Sequence, residues 1–252
     1  MLNLEHIGSP IAVINTTRSK KHCILSVDDK HDARQSFPFI HLDGQDSFQQ
    51  IPDQSKERQI LYITGQSGSG KSYYTKQYAD IYTKMYPKRD VFLFSSINED
   101  SSIDEIKGLK RMKLTDALLE DDLKAEDFAN SLVILDDCDC ITDKRMRQKV
   151  AGITSSILET GRHFNVSCIV TSHIACGGND TKRILNETNS ITLFPKNMGG
   201  RSLKYLLESY LGLSKEQIKK IKKLDSRWVT VCKTYPMVVL SEHDSYIVCH
   251  DD

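Results

Sequence analysis

The sequence predicts an α/β fold, a mainly parallel sheet flanked by helices, with a small N-terminal β element and antiparallel strands at the C-terminus. Three observations carry this. Short apolar runs at 60–64, 91–94, 132–135, 168–170 and 191–194 alternate with helical stretches. These runs are apolar on nearly every residue, as strands covered on both faces require. The first of them passes through a glycine-rich loop straight into a helix. At 252 residues the chain is long enough for one large domain, or one domain plus a small appendage. We divide it into a β-rich element at 1–57 and a larger α/β domain at 58–252.

In the N-terminal element, apolar or alternating pieces at 11–14, 23–27 and 37–42 are separated by polar turns at Thr17-Arg18-Ser19 and Asp28-Asp29-Lys30. The strand at 60–64 precedes a helix expected over 71–86. In it Tyr74, Tyr78 and Tyr82 recur every four residues, a spacing suited to packing on the sheet. After the strand at 91–94, residues 101–130 are polar and read as mostly helical. A helix over about 143–160 places Met146, Val150, Ile153 and Ile157 on one stripe. A helix pair is expected at 199–212 and 214–224, the second opened by a Ser214/Gln217 capping box. Strands return at 228–231, 237–240 and 246–248.

Composition closes several doors. Lys and Arg total 34 and Asp and Glu total 34, so the chain is neither a bulk-basic nucleic-acid coat nor an acidic tail. No apolar run approaches the ~18 residues that a membrane-spanning helix needs, and no secretory signal is visible. The seven cysteines are irregularly spaced and form no C-x-x-C pair, which predicts a reducing compartment without disulfide framework or zinc site.

Gly65-Gln66-Ser67-Gly68-Ser69-Gly70-Lys71-Ser72 matches G-x-x-x-x-G-K-[ST] between a strand and a helix, the context of a P-loop NTPase. Its glycines let successive backbone N–H groups face phosphate oxygens, and the helix dipole adds to that field. Lys71 supplies a mobile cation for the β- and γ-phosphates, and the Ser72 hydroxyl is a natural Mg²⁺ ligand. Tyr73 completes the expected nucleotide-binding set, and the cofactors implied are ATP and Mg²⁺.

The apolar run ending in Asp136-Asp137 occupies the Walker B position. Asp136 is expected to hold Mg²⁺ through its water shell, because this ion dehydrates reluctantly. Asp137 is placed to orient or deprotonate an attacking water; turn capping is the competing role. A second acid of this kind suits a hydrolysing motor better than a small-molecule kinase. Thr171-Ser172-His173 ends the fourth strand. In ASCE-type P-loop ATPases, whose extra strand lies between the P-loop and Walker B strands, a polar residue there senses the γ-phosphate. His173 is the candidate sensor, against a loop histidine with a local hydrogen bond. Arg162 is the candidate arginine finger acting on a neighbouring subunit's nucleotide, against a surface arginine paired to an acid.

From about Ile60 to Leu211 the chain resembles the poxvirus-type virion DNA-packaging ATPases of large DNA viruses, within the FtsK/HerA superfamily. The carriers are the P-loop with its preceding strand, Val91-Phe92-Leu93-Phe94-Ser95, the run to Asp137, and Gly161-Arg162-His163-Phe164-Asn165-Val166-Ser167. The family usually has Gln where His173 stands. The resemblance implies an ATPase ring, a pentamer or hexamer, that pumps double-stranded DNA into a preformed capsid. It also implies that Lys71, Ser72, Asp136 and Asp137 carry hydrolysis, that a capsid or portal-vertex protein is a partner, and that the protein works in the virion and at the assembly site in the host-cell cytoplasm. Lys219, Lys220, Lys222 and Lys223 on the 214–224 helix are the candidate DNA contacts, against a solvated helix face. Two other readings stay open: a P-loop nucleoside or nucleotide kinase, and a nucleotide-gated binding protein with little hydrolysis.

Overall fold

The computed structural model describes residues 1–16 and 23–248; the Thr17-Arg18-Ser19 turn and Cys249 lie outside them. In chain order the N-terminal strands are β1 (Leu2–Asn3), β2 (Ser9–Asn15), β3 (Cys23–Val27), β4 (Phe39–His41) and β5 (Ser47–Gln50). Then follow β6 (Ile60–Thr64), α1 (Lys71–Met85), β7 (Asp90–Ser95), β8 (Leu109–Arg111), α2 (Asp116–Glu120), β9 (Ser131–Asp136), α3 (Lys144–Thr160), β10 (Ser167–Ser172) and α4 (Gly178–Glu187). The C-terminal part comprises β11 (Ser190–Leu193), α5 (Gly200–Tyr205), α6 (Lys215–Lys223), β12 (Val229–Cys232), β13 (Val238–Ser241) and β14 (Asp244–Ile247).

These elements cluster into two units, Lys56–Thr188 and the combination of Met1–Ser55 with Asn189–Asp252. In the Lys56–Thr188 unit every neighbouring strand pair is parallel, in the order β6-β10-β9-β7-β8. All residues of β6, β9 and β10 are buried, their apolar centres covered on both faces. The fourth strand, β10, therefore lies between β6, which leads into the glycine-rich loop, and β9, which ends in Asp136, the ASCE arrangement expected from the sequence. Tyr74, Tyr78 and Tyr82 of α1 are buried, and Met146, Val150, Ile153 and Ile157 form the buried stripe of α3.

The second unit is antiparallel. β1-β3-β2-β5 form one sheet, and β4-β14-β13-β12-β11 run in sequence through antiparallel pairs. Ile11, Leu25 and Phe48 share a core with Cys232, Val238 and Leu240. This is where the structure departs from the expected division at residue 57. Residues 189–252 belong with the N-terminal strands, because β14 pairs with β4 and β12–β13 bury their apolar faces against β2 and β3.

Residues 101–130 are not mostly helical. They hold β8, the five-residue α2 and two single 3₁₀ turns at Ile103–Glu105 and Ala125–Phe128. Gly108 at φ 77° stops helical propagation just before β8. The helix expected over 199–212 tightens into α5 and then widens into a π turn at Leu206–Tyr210, while the Ser214/Gln217 capping box forms as expected. The cysteines among the described residues are free thiols, and no helix among those residues is long and apolar enough to cross a membrane.

One side chain fastens the end of α3 to the start of β6. Arg58 Nη1 donates to Ile157 O at 2.6 Å and Nη2 to Leu158 O at 2.8 Å, two carbonyls of the last turn of α3, the first of which also accepts from Gly161 N–H. Arg58→Ala should cost about 2–3 kcal/mol of stability, the usual loss for charge-assisted bonds of this kind, measured as a lower midpoint in urea unfolding. Unchanged stability would show that solvent serves those carbonyls equally well.

Candidate active site

The cradle begins where β6 ends. Gly68 at φ 74° and Gly70 at φ 115° occupy the left-handed region, which fits the glycine choice at both positions. A Cβ on Gly68 would meet nothing within 4 Å, so backbone conformation rather than space demands glycine there. α1 starts at Lys71 with no side-chain cap and no acid in its first turn. Its leading N–H groups are thus left for an anion. The loop is tied to the end of β10 by Gly65 N–H donating to Ser172 O at 3.2 Å. Gln66, Ser67 and Gly68 are exposed, Ser69 is buried, Ser72 is half-buried and Tyr73 is exposed beside the loop.

Lys71 is 6% exposed, and its side chain turns back into the site. Nζ donates to Gly65 O at 3.0 Å, lies 3.2 Å from His173 Nδ1, and lies 3.5 Å from Asp137 Oδ2. His173 Nε2 is 2.9 Å from that same carboxylate oxygen. One proton arrangement satisfies all of these contacts: Nδ1 accepts from the ammonium and Nε2–H donates to Asp137. The structure thus brings together three residues that the sequence placed at three separate strand ends.

Asp136 is 2% exposed. Oδ2 accepts from Ser95 Oγ and Oδ1 from Thr171 Oγ1, both at 2.9 Å. Burial, together with the negative charge of Asp137, raises its carboxyl above the usual value. Asp137 then leaves the strand with φ 45°, a left-handed conformation that Asp tolerates better than most residues. Its N–H donates to Thr171 Oγ1 at 2.9 Å, and its Oδ1 lies 3.1 Å from the same hydroxyl. Backbone strain of this sort clusters at functional sites. Here the kink aims adjacent carboxylates in two directions, Asp136 at the two hydroxyls and Asp137 at Lys71.

Ser95 and Thr171 hold the Asp136 carboxylate, a role that the phrases naming them in the sequence, Val91 to Ser95 and Thr171-Ser172-His173, do not reveal. Both sit at carboxyl ends of the strands that flank β9, with Ser95 in direct register with Asp136. Strand order is the signal that could find them.

The residues suit a nucleotide with Mg²⁺. A buried carboxylate and a hydroxyl at an uncapped helix start are hard oxygen donors. Among the described residues no cluster of three His, Cys, Asp or Glu forms a metal cage.

Arg162 is not at this site. Nε donates to Glu57 Oε2 at 2.6 Å, and both side chains are exposed. Glu57 precedes β6 and Arg162 precedes β10, so the pair sits at the amino ends of the strands. The cradle is at the carboxyl ends, about 15–20 Å away by strand length. Lys219, Lys222 and Lys223 are exposed on α6. The Lys220 ammonium rests 3.7 Å from the Tyr246 ring centroid.

No protein-family model matches the chain. Among solved structures, the genome packaging NTPase B204 from Sulfolobus turreted icosahedral virus 2, in complex with ATP-gammaS, superposes with TM-score 0.51 at 16% identity, covering 74% of this chain and 98% of B204. The cytoplasmic domain of the Thermomonospora curvata Type VII secretion ATPase EccC superposes with TM-score 0.55 at 11% identity, covering 90% of this chain and 31% of that one. At these identities the likeness is one of fold, and it places the chain among P-loop NTPase folds. The uncharacterized protein V3 of Sputnik virophage is 41% identical over 189 residues, 74% of this chain and 76% of V3. With identity of that level across three quarters of both proteins, the chain belongs to the same family as the Sputnik virophage protein V3.

Proposed function

We propose that this chain is an ATP-hydrolysing motor that translocates double-stranded viral DNA into a preformed capsid, a packaging ATPase of the poxvirus type within the FtsK/HerA superfamily. The observation that carries the reading is the contact set at the cradle's mouth: Lys71 beside Asp137, bridged by His173, next to a buried Asp136. The fold shared with B204, which is named as a genome packaging NTPase, and the family shared with a virophage protein support a viral role.

In this reading the triphosphate lies on the N–H groups of residues 65–72, and Lys71 turns from Asp137 to the β- and γ-phosphates. Its departure frees Asp137 to accept a proton from water as that water's oxygen attacks the γ-phosphorus and ADP leaves. His173 holds the Asp137 carboxylate in place through Nε2–H. Mg²⁺, held by Ser72 and Asp136, would screen the phosphate charge. An arginine from the next subunit of a pentameric or hexameric ring stabilises the transferring phosphoryl group. Arg162 serves only if the ring brings the strands' amino ends to a neighbour's cradle. DNA, a capsid or portal-vertex protein, and location in the virion and at the host-cell assembly site complete the proposal.

Phosphate release from ATP, measured with and without double-stranded DNA and alongside mass in solution, tests it. A motor releases phosphate faster with DNA and assembles into a ring. Transfer to a small acceptor, indifferent to DNA, marks a nucleoside or nucleotide kinase. Tight ATP binding without phosphate release marks a nucleotide-gated binding protein. The second acid, Asp137, favours hydrolysis over both.

A further inference from the structure

The first turn of α3 carries cations, Lys144 and Arg145, where a helix disfavours them, and more follow in the next turn. Asp143 caps the helix, its carboxylate accepting from Arg145 N–H at 2.7 Å and Met146 N–H at 3.2 Å. Lys144, Arg145, Arg147 and Lys149 then follow, with no acid in the first turn. The positive end of a helix dipole repels such charges. Lys149 has found partners in the carbonyls of Leu119 and Asp121. Lys144, Arg145 and Arg147 have none: all three are exposed, and among the described residues none of them is in an ion pair.

The lysines of α6 make the contrast. Lys220, Lys222 and Lys223 stand in the last turn, where the dipole welcomes cations, and Lys220 is engaged by the Tyr246 ring. Local folding explains those charges and does not explain the ones on α3. At 100° per residue, Lys144 and Gln148 lie opposite the buried stripe of Met146, Val150, Ile153 and Ile157, with Arg145 and Arg147 on its two flanks. The cluster is a set of side chains projecting into solvent. It stands at the carboxyl edge of the sheet, the edge that carries the cradle, one short connection after Asp137. That connection is pinned to the end of β10 by Ser172 Oγ donating to Asp139 Oδ2 at 2.8 Å.

We propose that Lys144, Arg145 and Arg147 track the phosphate backbone of duplex DNA, in place of the α6 lysines; this rests on the reading of the chain as a DNA motor. Neighbouring unpaired cations match a polyanion, whereas a neighbour's γ-phosphate would occupy a single guanidinium. Seated one short connection after Asp136-Asp137, the cluster couples nucleotide state to DNA grip through the segment that leaves β9.

The test compares wild type with two variants of the full chain: Lys144→Gln, Arg145→Gln and Arg147→Gln combined, and Lys219→Gln, Lys222→Gln and Lys223→Gln combined. Each is titrated with a short duplex DNA of random sequence across a salt series, and thermal melting verifies folding. The α3 variant should bind about 10-fold more weakly or worse, with a log–log salt slope shallower by roughly 2–3, since each neutralised phosphate contributes ~0.9. The α6 variant should lose much less. Wild-type affinity and slope in the α3 variant, or the loss falling on the α6 variant, overturns the proposal and leaves the motor reading standing. Unchanged DNA affinity with loss of DNA-independent turnover would make these residues partners of a neighbour's nucleotide, and also overturns it. Wild-type protein that hydrolyses ATP but binds no duplex overturns both.

Discussion

Lys71→Ala should stop phosphate release, lowering turnover by about 10²–10³ or more, equivalent to about 3–4 kcal/mol of lost transition-state stabilisation. The Lys71 ammonium is buried, and among the described residues no other lysine or arginine pairs with Asp137. Alanine removes the charge that would move onto the phosphates and leaves Asp137 without its lysine. The fold survives, because Asp137 remains 19% exposed and can turn to water, and because Gly68 and Gly70 still shape the cradle. A melting point lower by a few degrees is expected, since truncating a buried lysine loses its stem packing as well as its ion pair. Lys71→Arg should fail as badly in turnover: a planar guanidinium fork does not fit where Nζ meets Gly65 O, His173 and Asp137 from three directions. Phosphate release with circular dichroism on the same samples decides the matter. A folded Lys71→Ala protein with full turnover would remove the cradle from the mechanism.

What is legible in the sequence follows how locally each feature is determined. The cradle is legible because strand, glycines and helix start are neighbours in the chain, and Gly68 and Gly70 each answer their own backbone angle. The β9 acids are legible because the chain passes from a wholly apolar run to two carboxylates within adjacent positions, and a charge at the end of a buried strand is costly unless it is used. Ser95 and Thr171 are hidden because their importance comes from lying on either side of Asp136 across the sheet, 41 and 35 residues away. The phrase running from Gly161 to Asn165 stands out in the sequence, but its role does not. A Cβ on Gly161 would come within 3.2 Å of Arg58 Nη1 and 3.3 Å of Val166 Cβ, and Asn165 turns the chain at φ 55° while its amide donates to Asn130 Oδ1 at 3.1 Å. The glycine and asparagine of that phrase thus build the turn into β10, and Arg162 rides on its outside against Glu57. α4 escapes notice because its Gly-Gly-Asn-Asp start announces a loop, and β8 because three residues give no periodicity.

Asp136→Asn should lose hydrolysis to a similar degree and yet melt higher than wild type at neutral pH. The side chains are isosteric, and the two flanking hydroxyls can rotate: one donates to the amide oxygen while the other accepts from its nitrogen. No hydrogen bond need be lost, so the change reduces to one buried negative charge. That charge is costly, because burial and then Asp137 raise the Asp136 carboxyl above its ordinary value of 3.8. The folded state therefore holds this proton more tightly than the unfolded chain does. The stability tied to it is fully present below the unfolded value near 3.8 and is lost as pH rises through the higher folded value. At neutral pH wild type carries the whole cost and the asparagine variant carries none. The variant's advantage, on the order of 1 kcal/mol or a few degrees, should be absent in acid and grow as pH climbs from about 4 toward neutrality. Melting curves across that range measure it directly. Adding Mg²⁺ with a non-hydrolysable ATP analogue should then reverse the order, since only the carboxylate gains a cation and ligand binding stabilises wild type more. A variant that melts below wild type at neutral pH without ligand would mean that Asp136 is held in place for structure, and that its charge is not the cost of a metal-binding function.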